Sequence, residues 1–115
     1  MRVVHHPTDG PERPLATDVE FADGIVSQGI GLMFRRGIED DYALVFRFGR
    51  TRNRGLHMVF VPFDIDAVWL VDGEVQGVER LRAWRGHGSH RADTVLELPA
   101  GAAADVAVGD RVTVE

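Results

Sequence analysis

At 115 residues, 44% of them apolar, with 18 acidic against 13 basic side chains and no cysteine, the chain has the size and material for one small domain with a single core. The missing cysteine excludes disulfides, thiolate metal sites and a cysteine nucleophile. No segment approaches the roughly eighteen consecutive apolar residues of a spanning helix, and the start Met1-Arg2-Val3-Val4-His5-His6-Pro7 lacks the apolar stretch of a secretory signal, so a soluble cytoplasmic protein is expected.

Residues 1–14 read as an extended lead-in, because Pro7, Pro11, Pro14, Asp9 and Gly10 favour turns, and a single β-rich domain is expected over 15–115. Leu15, Thr17, Val19 and Phe21 alternate with Ala16, Asp18, Glu20 and Ala22, the period of a half-buried strand. Asp23 then serves as N-cap for a short helix carrying Val26, Ile30 and Met33 at helical spacing. Tyr42 to Phe48 and Leu56 to Val61 read as strands, and Pro62, which cannot donate to a ladder, places the next residues at an edge or bulge. Asp66 to Val71 and Glu74 to Leu81 flank Asp72-Gly73, a pair that tolerates the positive φ angles of a type I′ hairpin turn. Thr94 to Leu98 makes a further strand. Pro99 to Val108 reads as an alanine-rich helical turn with Gly109 past its end, and Arg111 to Val114 as a closing strand. The pattern predicts a mainly β fold, a small antiparallel sandwich or partly closed barrel with two short helices.

The motifs Gly31-Leu32-Met33-Phe34-Arg35, Leu44-Val45-Phe46, His57-Met58 and Pro62-Phe63-Asp64-Ile65-Asp66 are followed by Trp84, Val95-Leu96-Glu97-Leu98-Pro99-Ala100-Gly101 and Val108-Gly109-Asp110-Arg111-Val112. In this order and spacing, over about residues 15 to 114, the chain resembles the uncharacterised family called domain of unknown function 192. The resemblance implies a compact, mostly β, sandwich-like or barrel-like domain and no established reaction. The chain departs from the family pattern at Arg50-Thr51-Arg52-Asn53-Arg54, at Asp66, and at the loop from His87 to His90.

All thirteen cations are arginine. Arg-favouring codon usage explains this, and so does an acidic surface suited to a salt-rich cytoplasm. Residues 42–63 carry four arginines and no acid, residues 80–92 carry another four and no acid, and the rest of the chain holds five arginines with all eighteen acids. Folded together, the two segments would form an anion patch from Arg50, Arg52, Arg54, Arg82 and Arg85, since the guanidinium fork suits phosphate and carboxylate. An acidic chain is steered away from polyphosphates, so solvated loops balancing nearby acids are the favoured reading over nucleic-acid contact.

His57, His87 and His90, with Asp64 and Asp66, are the nearest approach to a metal set, but their spacing matches no recognised zinc signature, and no metal or cofactor is expected. In a simple two-residue hairpin register Asp66 falls opposite Glu79, two carboxylates that need Arg80, Arg82 or a cation between them. Ser89, His90 and Asp93 lie too close along the chain to form a triad by spacing alone. Glu97, between Leu96 and Leu98, faces away from both and is either solvated or paired with an arginine. The polar and aromatic motif positions Arg35, His57, Asp64, Trp84 and Glu97 define the expected ligand-binding surface: Arg35 orients an anion, Asp64 and Glu97 accept hydrogen bonds, and Trp84 supplies an apolar wall. The reading is a non-enzymatic small binding domain for an anionic small molecule or a protein partner, with no membrane partner and no assigned catalytic residue. The alternative is a metal-dependent or carboxylate-based hydrolase using His57, Asp64, His87 and His90.

Overall fold

The computed structural model describes residues 1–22 and 31–115. The strands are β1 (Val3–His6), β2 (Arg13–Ala16), β3 (Asp18–Phe21), β4 (Tyr42–His57), β5 (Ile65–Val71), β6 (Glu74–Leu81), β7 (His87–Pro99) and β8 (Arg111–Val114). They form one eight-stranded sheet in the order β2-β1-β8-β6-β5-β7-β4-β3, and only the β3–β4 pair is parallel. The stretch read as one strand from Leu15 is broken at Thr17. Its first part pairs with β1 and its second with β4, at opposite edges of the sheet. The Thr17 and Asp18 N–H groups both donate to Asp41 O at 2.9 Å. A single connecting residue therefore spans the two edges, so the sheet curls until they are neighbours although no ladder closes it. The lead-in itself contributes β1, which lies between β2 and β8.

Strand β5 is buried on both faces. Ile65, Ala67 and Trp69 enter one core with Leu44, Phe46, Leu32 and Met58, while Val68 and Leu70 enter the other with Val45, Leu96, Leu98 and Val112. Successive side chains of a strand point to opposite faces, so a run of apolar residues marks burial on both sides.

The 16-residue β4 takes in the expected Tyr42–Phe48 strand and runs on to His57, and the separate strand expected over Leu56–Val61 is corrected: only Leu56 and His57 are strand, the end of β4, and residues 58–61 turn. A register shift between Arg47 and Arg52 interrupts its pairing with β7, after which the ladder resumes from Arg52 opposite Ala92 to His57 opposite His87. Past this irregularity the β4–β7 arm folds back over the β5–β6 hairpin. The Trp69 indole N–H donates to Arg54 O at 2.7 Å, and His90 packs on the Trp69 ring at 4.7 Å and bonds Glu79 at 2.6 Å. Glycines allow this approach: a Cβ on Gly77 would lie 2.5 Å from the His90 ring, and one on Gly88 would lie 2.8 Å from Glu79 Oε2 and 3.1 Å from Trp69.

Two further expectations are corrected. Among the described residues there is no helix. The Pro99–Val108 segment is a series of turns with bonds from Ala102 N–H to Pro99 O, Ala104 N–H to Gly101 O and Val106 N–H to Ala103 O. Gly101 at φ 96° breaks any helical run, and buried Asp66 Oδ2 accepts the Gly101 and Ala103 N–H groups, each at 2.9 Å. The expected helix from Asp23 lies mostly outside the described residues, and Met33 stands in a turn. The second correction concerns register. Asp72 and Gly73 do adopt positive φ, 49° and 81°, but a register shift between Trp69 and Leu70 moves the pairing by one residue. Asp66 therefore faces Arg80, with which it forms an ion pair, and Glu79 faces Ala67.

Gly77→Ala should force His90 off Trp69 and lower the unfolding free energy by about 1–3 kcal/mol, the usual cost of overpacking. Gly49→Ala, where nothing lies within 4 Å, serves as the control and should be neutral or slightly stabilising. Urea unfolding of the two variants tests this: equal stability would mean that the close approach is not maintained in solution.

Candidate functional site

The returning arm brings three turns to one end of the sheet: residues 31–36, 58–63 and 82–86. Backbone hydrogen bonds lace them together, from Phe34 N–H to Phe60 O (2.7 Å), Trp84 N–H to Val61 O (2.9 Å) and Met58 N–H to Gly86 O (3.0 Å). The exposed Asp64 adds a side-chain acceptor for Ala83 N–H at 2.8 Å. Leu32, Met58 and Val61 point inward and join the core beneath. Four of the outward residues are apolar as well: Phe34 is 69% exposed, Trp84 57%, Phe60 49% and Val59 48%. The Phe34 and Phe60 rings stack with centroids 5.0 Å apart.

Phe34, Phe60 and Trp84 all have left-handed backbones, with φ of 68°, 61° and 68°. Such a conformation costs roughly 1–2 kcal/mol for a residue with a Cβ, and an aromatic side chain makes no local hydrogen bond to offset it. The fourth such residue among those described, Asp72, belongs to a turn type that accepts aspartate. The interlocked backbone bonds are what hold the three aromatic residues in place.

Next to Phe34, Arg35 is tethered. Its Nη1 donates to Tyr42 Oη at 3.0 Å, its Nη2 to Glu20 Oε1 at 2.9 Å, and Tyr42 Oη also donates to Glu20. The Tyr42 hydrogen bond, followed by that from Arg35, holds the Glu20 carboxyl below its ordinary pKa; burial, followed by the bond to Glu20, pushes the Tyr42 phenol up.

Glu97 lies deeper. In β7 it stands between Leu44 of β4 and Ala67 of β5, 6% exposed, with the backbone of Gly31 close over its carboxyl. No described residue donates a hydrogen bond to it. Burial pushes its pKa up to about 7, and the charge of Arg35 opposes the shift. Of the two roles the sequence allows, solvation is thus replaced by burial, with Arg35 as an electrostatic neighbour.

Arg35, Asp64 and Trp84 belong to this end, and His57 stands opposite His87 just behind it, its Nδ1 accepting Val59 N–H at 3.2 Å. His90 is committed to Glu79 and Trp69. Among the described residues, no group of three His, Asp or Glu side chains is placed to hold a metal ion. Ser89, His90 and Asp93 turn to separate partners: Asn53, Glu79 and the Asp72 N–H. The two arginine-rich segments do meet, through the β4–β7 pairing, and their five selected arginines sit on different elements. Arg50, Arg52 and Arg54 run along the arm, where Arg54 stacks on Phe48 at 3.9 Å and donates to Arg50 O at 2.8 Å, whereas Arg82 and Arg85 flank Trp84. A 290 Å³ cleft lined by Phe46, Phe48, Arg54 and Leu56 and a 370 Å³ cleft lined by Arg47, Asp72, Thr94 and Arg111 take in only Arg54 of the sequence-selected residues.

Phe34, Val59 and Phe60 were not expected at the site. Phe34 stands within the Gly31–Arg35 motif, but its backbone conformation leaves no trace in residue type.

The profile of DUF192, described as Uncharacterized ACR, matches residues 6–114. The chain belongs to the DUF192 family. A UPF0127 protein of Pyrococcus furiosus is 35% identical over 111 residues, 91% of either chain. A crystal structure from Sinorhizobium meliloti, provisionally described as a transcription regulator, aligns with a TM-score of 0.84 at 28% identity, covering 97% of this chain and 91% of that one. A protein of unknown function from Novosphingobium aromaticivorans aligns with a TM-score of 0.84 at 22% identity, covering 99% and 84%, and shares the fold.

In this DUF192 chain the raised pKa of Glu97 ties stability to pH. The folded state holds the proton more tightly than the unfolded one, so the stabilisation is complete below about pH 4.5 and is lost as pH rises through about 7. Glu97→Gln, which mimics the neutral acid, should gain on the parent by about 3 kcal/mol between pH 4.5 and pH 8, on the scale of 1.36 kcal/mol per pKa unit. Urea unfolding at both pH values checks this, and parallel curves would remove the assignment.

Proposed function

We propose that this DUF192 chain is a non-enzymatic docking domain that binds an anionic partner through its aromatic loop end. The observation that carries this reading is the trio Phe34, Phe60 and Trp84, each about half exposed or more and each in a left-handed backbone. Exposure of a large apolar ring and a strained φ are both unfavourable in the free protein, and their coincidence at one spot points to a bound state that uses the rings. Charge supports an anion. Residues 31–38, 57–63 and 82–87 contain Arg35, Arg36, Arg82 and Arg85 and no acid, and the adjoining Asp64, the one acid next to these turns on the 57–63 side, is bonded to the Ala83 N–H. Arg36, Arg82 and Arg85 are exposed and form no ion pair among the described residues. A hydrolase would instead need an acid, a base and a water or metal converging on one point; His57 and His87 stand opposite each other, but His57 Nδ1 is taken by the Val59 N–H, Asp64 by the Ala83 N–H and His90 by Glu79.

The strain has a direct test. In ordinary backbone Gly is less stable than Ala, but at Phe34 the order should invert, with Phe34→Gly more stable than Phe34→Ala by about 1 kcal/mol. The normal order would mean that the turn relaxes in solution.

Docking is tested through Trp84. Trp69 is fully buried, so emission changes on binding report Trp84. At low salt, titration with single-stranded DNA, poly-glutamate and anionic lipid vesicles should shift the emission with at least one of the three. Phe34→Ser combined with Phe60→Ser should weaken that response by at least about tenfold, in the range of hot-spot losses above 1 kcal/mol. Silence with all three ends the docking reading.

A further inference from the structure

Resting on the docking reading, we propose that the surface met by this face is an anionic lipid bilayer, onto which the three turns dock peripherally with Phe34, Val59, Phe60 and Trp84 inserted among the headgroups. The face is made of protruding tips: four apolar side chains project from three adjacent turns, and a soft interface accommodates them without a matching pocket. Part of the backbone of these turns is already satisfied from within. The Phe34, Met58 and Trp84 N–H groups donate to Phe60, Gly86 and Val61 carbonyls on neighbouring turns, so the tips enter a region poor in water without stranding these amides. Tryptophan suits the headgroup level, with its apolar body and polar N–H.

The cations sit where anionic headgroups would meet them. Arg36 follows Phe34 by two residues, Arg82 precedes Trp84 by two and Arg85 follows it. Arg35 serves a different purpose, holding the first turn to β3 and β4 through Glu20 and Tyr42. Among the described residues no helix is long and apolar enough to cross a membrane, and peripheral docking needs none.

Single-stranded nucleic acid, the other polyanion with a use for aromatic rings, fits less well. Base stacking needs open ring faces spaced along a cationic track. Here Phe34 and Phe60 lie against each other at 5.0 Å with 23° between their planes, leaving no gap for a base. The remaining arginine row, Arg50 to Arg54, runs along the arm on a strand whose far end only reaches the loops at His57.

Co-sedimentation of the full chain with extruded vesicles decides the matter. Phosphatidylglycerol–phosphatidylcholine vesicles at low salt should carry the protein down and shift Trp84 emission to the blue, and phosphatidylcholine alone should bind it at least tenfold more weakly. Arg82→Gln with Arg85→Gln should cost about thirtyfold in partitioning, from about 1 kcal/mol per basic residue near the surface. Phe34→Ser with Phe60→Ser should abolish co-sedimentation while leaving the melting temperature within about 2 °C of the parent, as expected for exposed positions. If the vesicles fail while single-stranded DNA or poly-glutamate still shifts Trp84, the lipid assignment is overturned and the docking face stands. Failure with every probe overturns both, and vesicle binding that survives the paired serine substitutions overturns the proposed mode of insertion.

Discussion

The return of the β4–β7 arm over the β5–β6 hairpin is the contact on which the molecule depends. It is secured at Trp69, whose ring is fully buried, whose N–H is taken by Arg54 O and whose face receives His90. A tryptophan in such a place combines a large buried apolar area with one polar atom that must find an acceptor, so it fixes position as well as distance. Gly77 and Gly88 set how near the arm comes. Without this fold-back, His57 and His87 would stand far from Ile65 and Leu81. The connections of seven and five residues between those strand ends could not meet as interlocked turns.

The polar groups of the interior divide into two kinds. Asp66 and Asp110 are buried acids with full sets of donors. Asp66 takes two backbone N–H groups and Arg80, while Asp110 takes His5 at 2.7 Å, Thr8 through both backbone and hydroxyl, and Ala107 N–H, which draws its pKa down to about 2. These networks tie β1, β8 and the 99–110 turns to the sheet, and they account for acids in positions where an isolated carboxylate would be expelled or neutralised. Glu97 is of the other kind: buried, with no donor among the described residues, and shifted toward its neutral form.

Legibility followed the range of the causes. The Asp72-Gly73 hairpin and the strands on either side of it could be read because turn chemistry and apolar runs act over a few residues. The break at Thr17 could not, because the alternation from Leu15 to Phe21 continues through it while the pairing partner changes from one sheet edge to the other. Nor could the one-residue shift between Trp69 and Leu70, which exchanges a facing pair of acids for the Asp66–Arg80 ion pair. β1 was hidden by the prolines that follow it, and its anchor, His5 bonded to Asp110, joins residues 105 apart. At the candidate site, Arg35, Asp64 and Trp84 stood out by residue type. Phe34 and Phe60 carry no such mark in residue type, and only their φ angles and exposure set them apart.

Two unfavourable features among the described residues lie close together. Left-handed Phe34 directly precedes Arg35, and Arg35 is the charge that acts on Glu97. Each feature alone would be selected against in a domain whose net stability is a small difference between large terms. They persist because the fold is over-determined elsewhere, by β5 buried on both faces, by the fully satisfied acids and by the anchored arm. Random accumulation of strain would scatter over loops with no structural bond between them. Strain gathered on three turns that hydrogen-bond to one another, and that carry four of the six exposed large apolar residues among those described, instead fits the docking surface proposed above, kept rigid in advance of contact. A surface so prepared loses little conformational freedom on binding, which is where a small domain gains affinity without enlarging its interface.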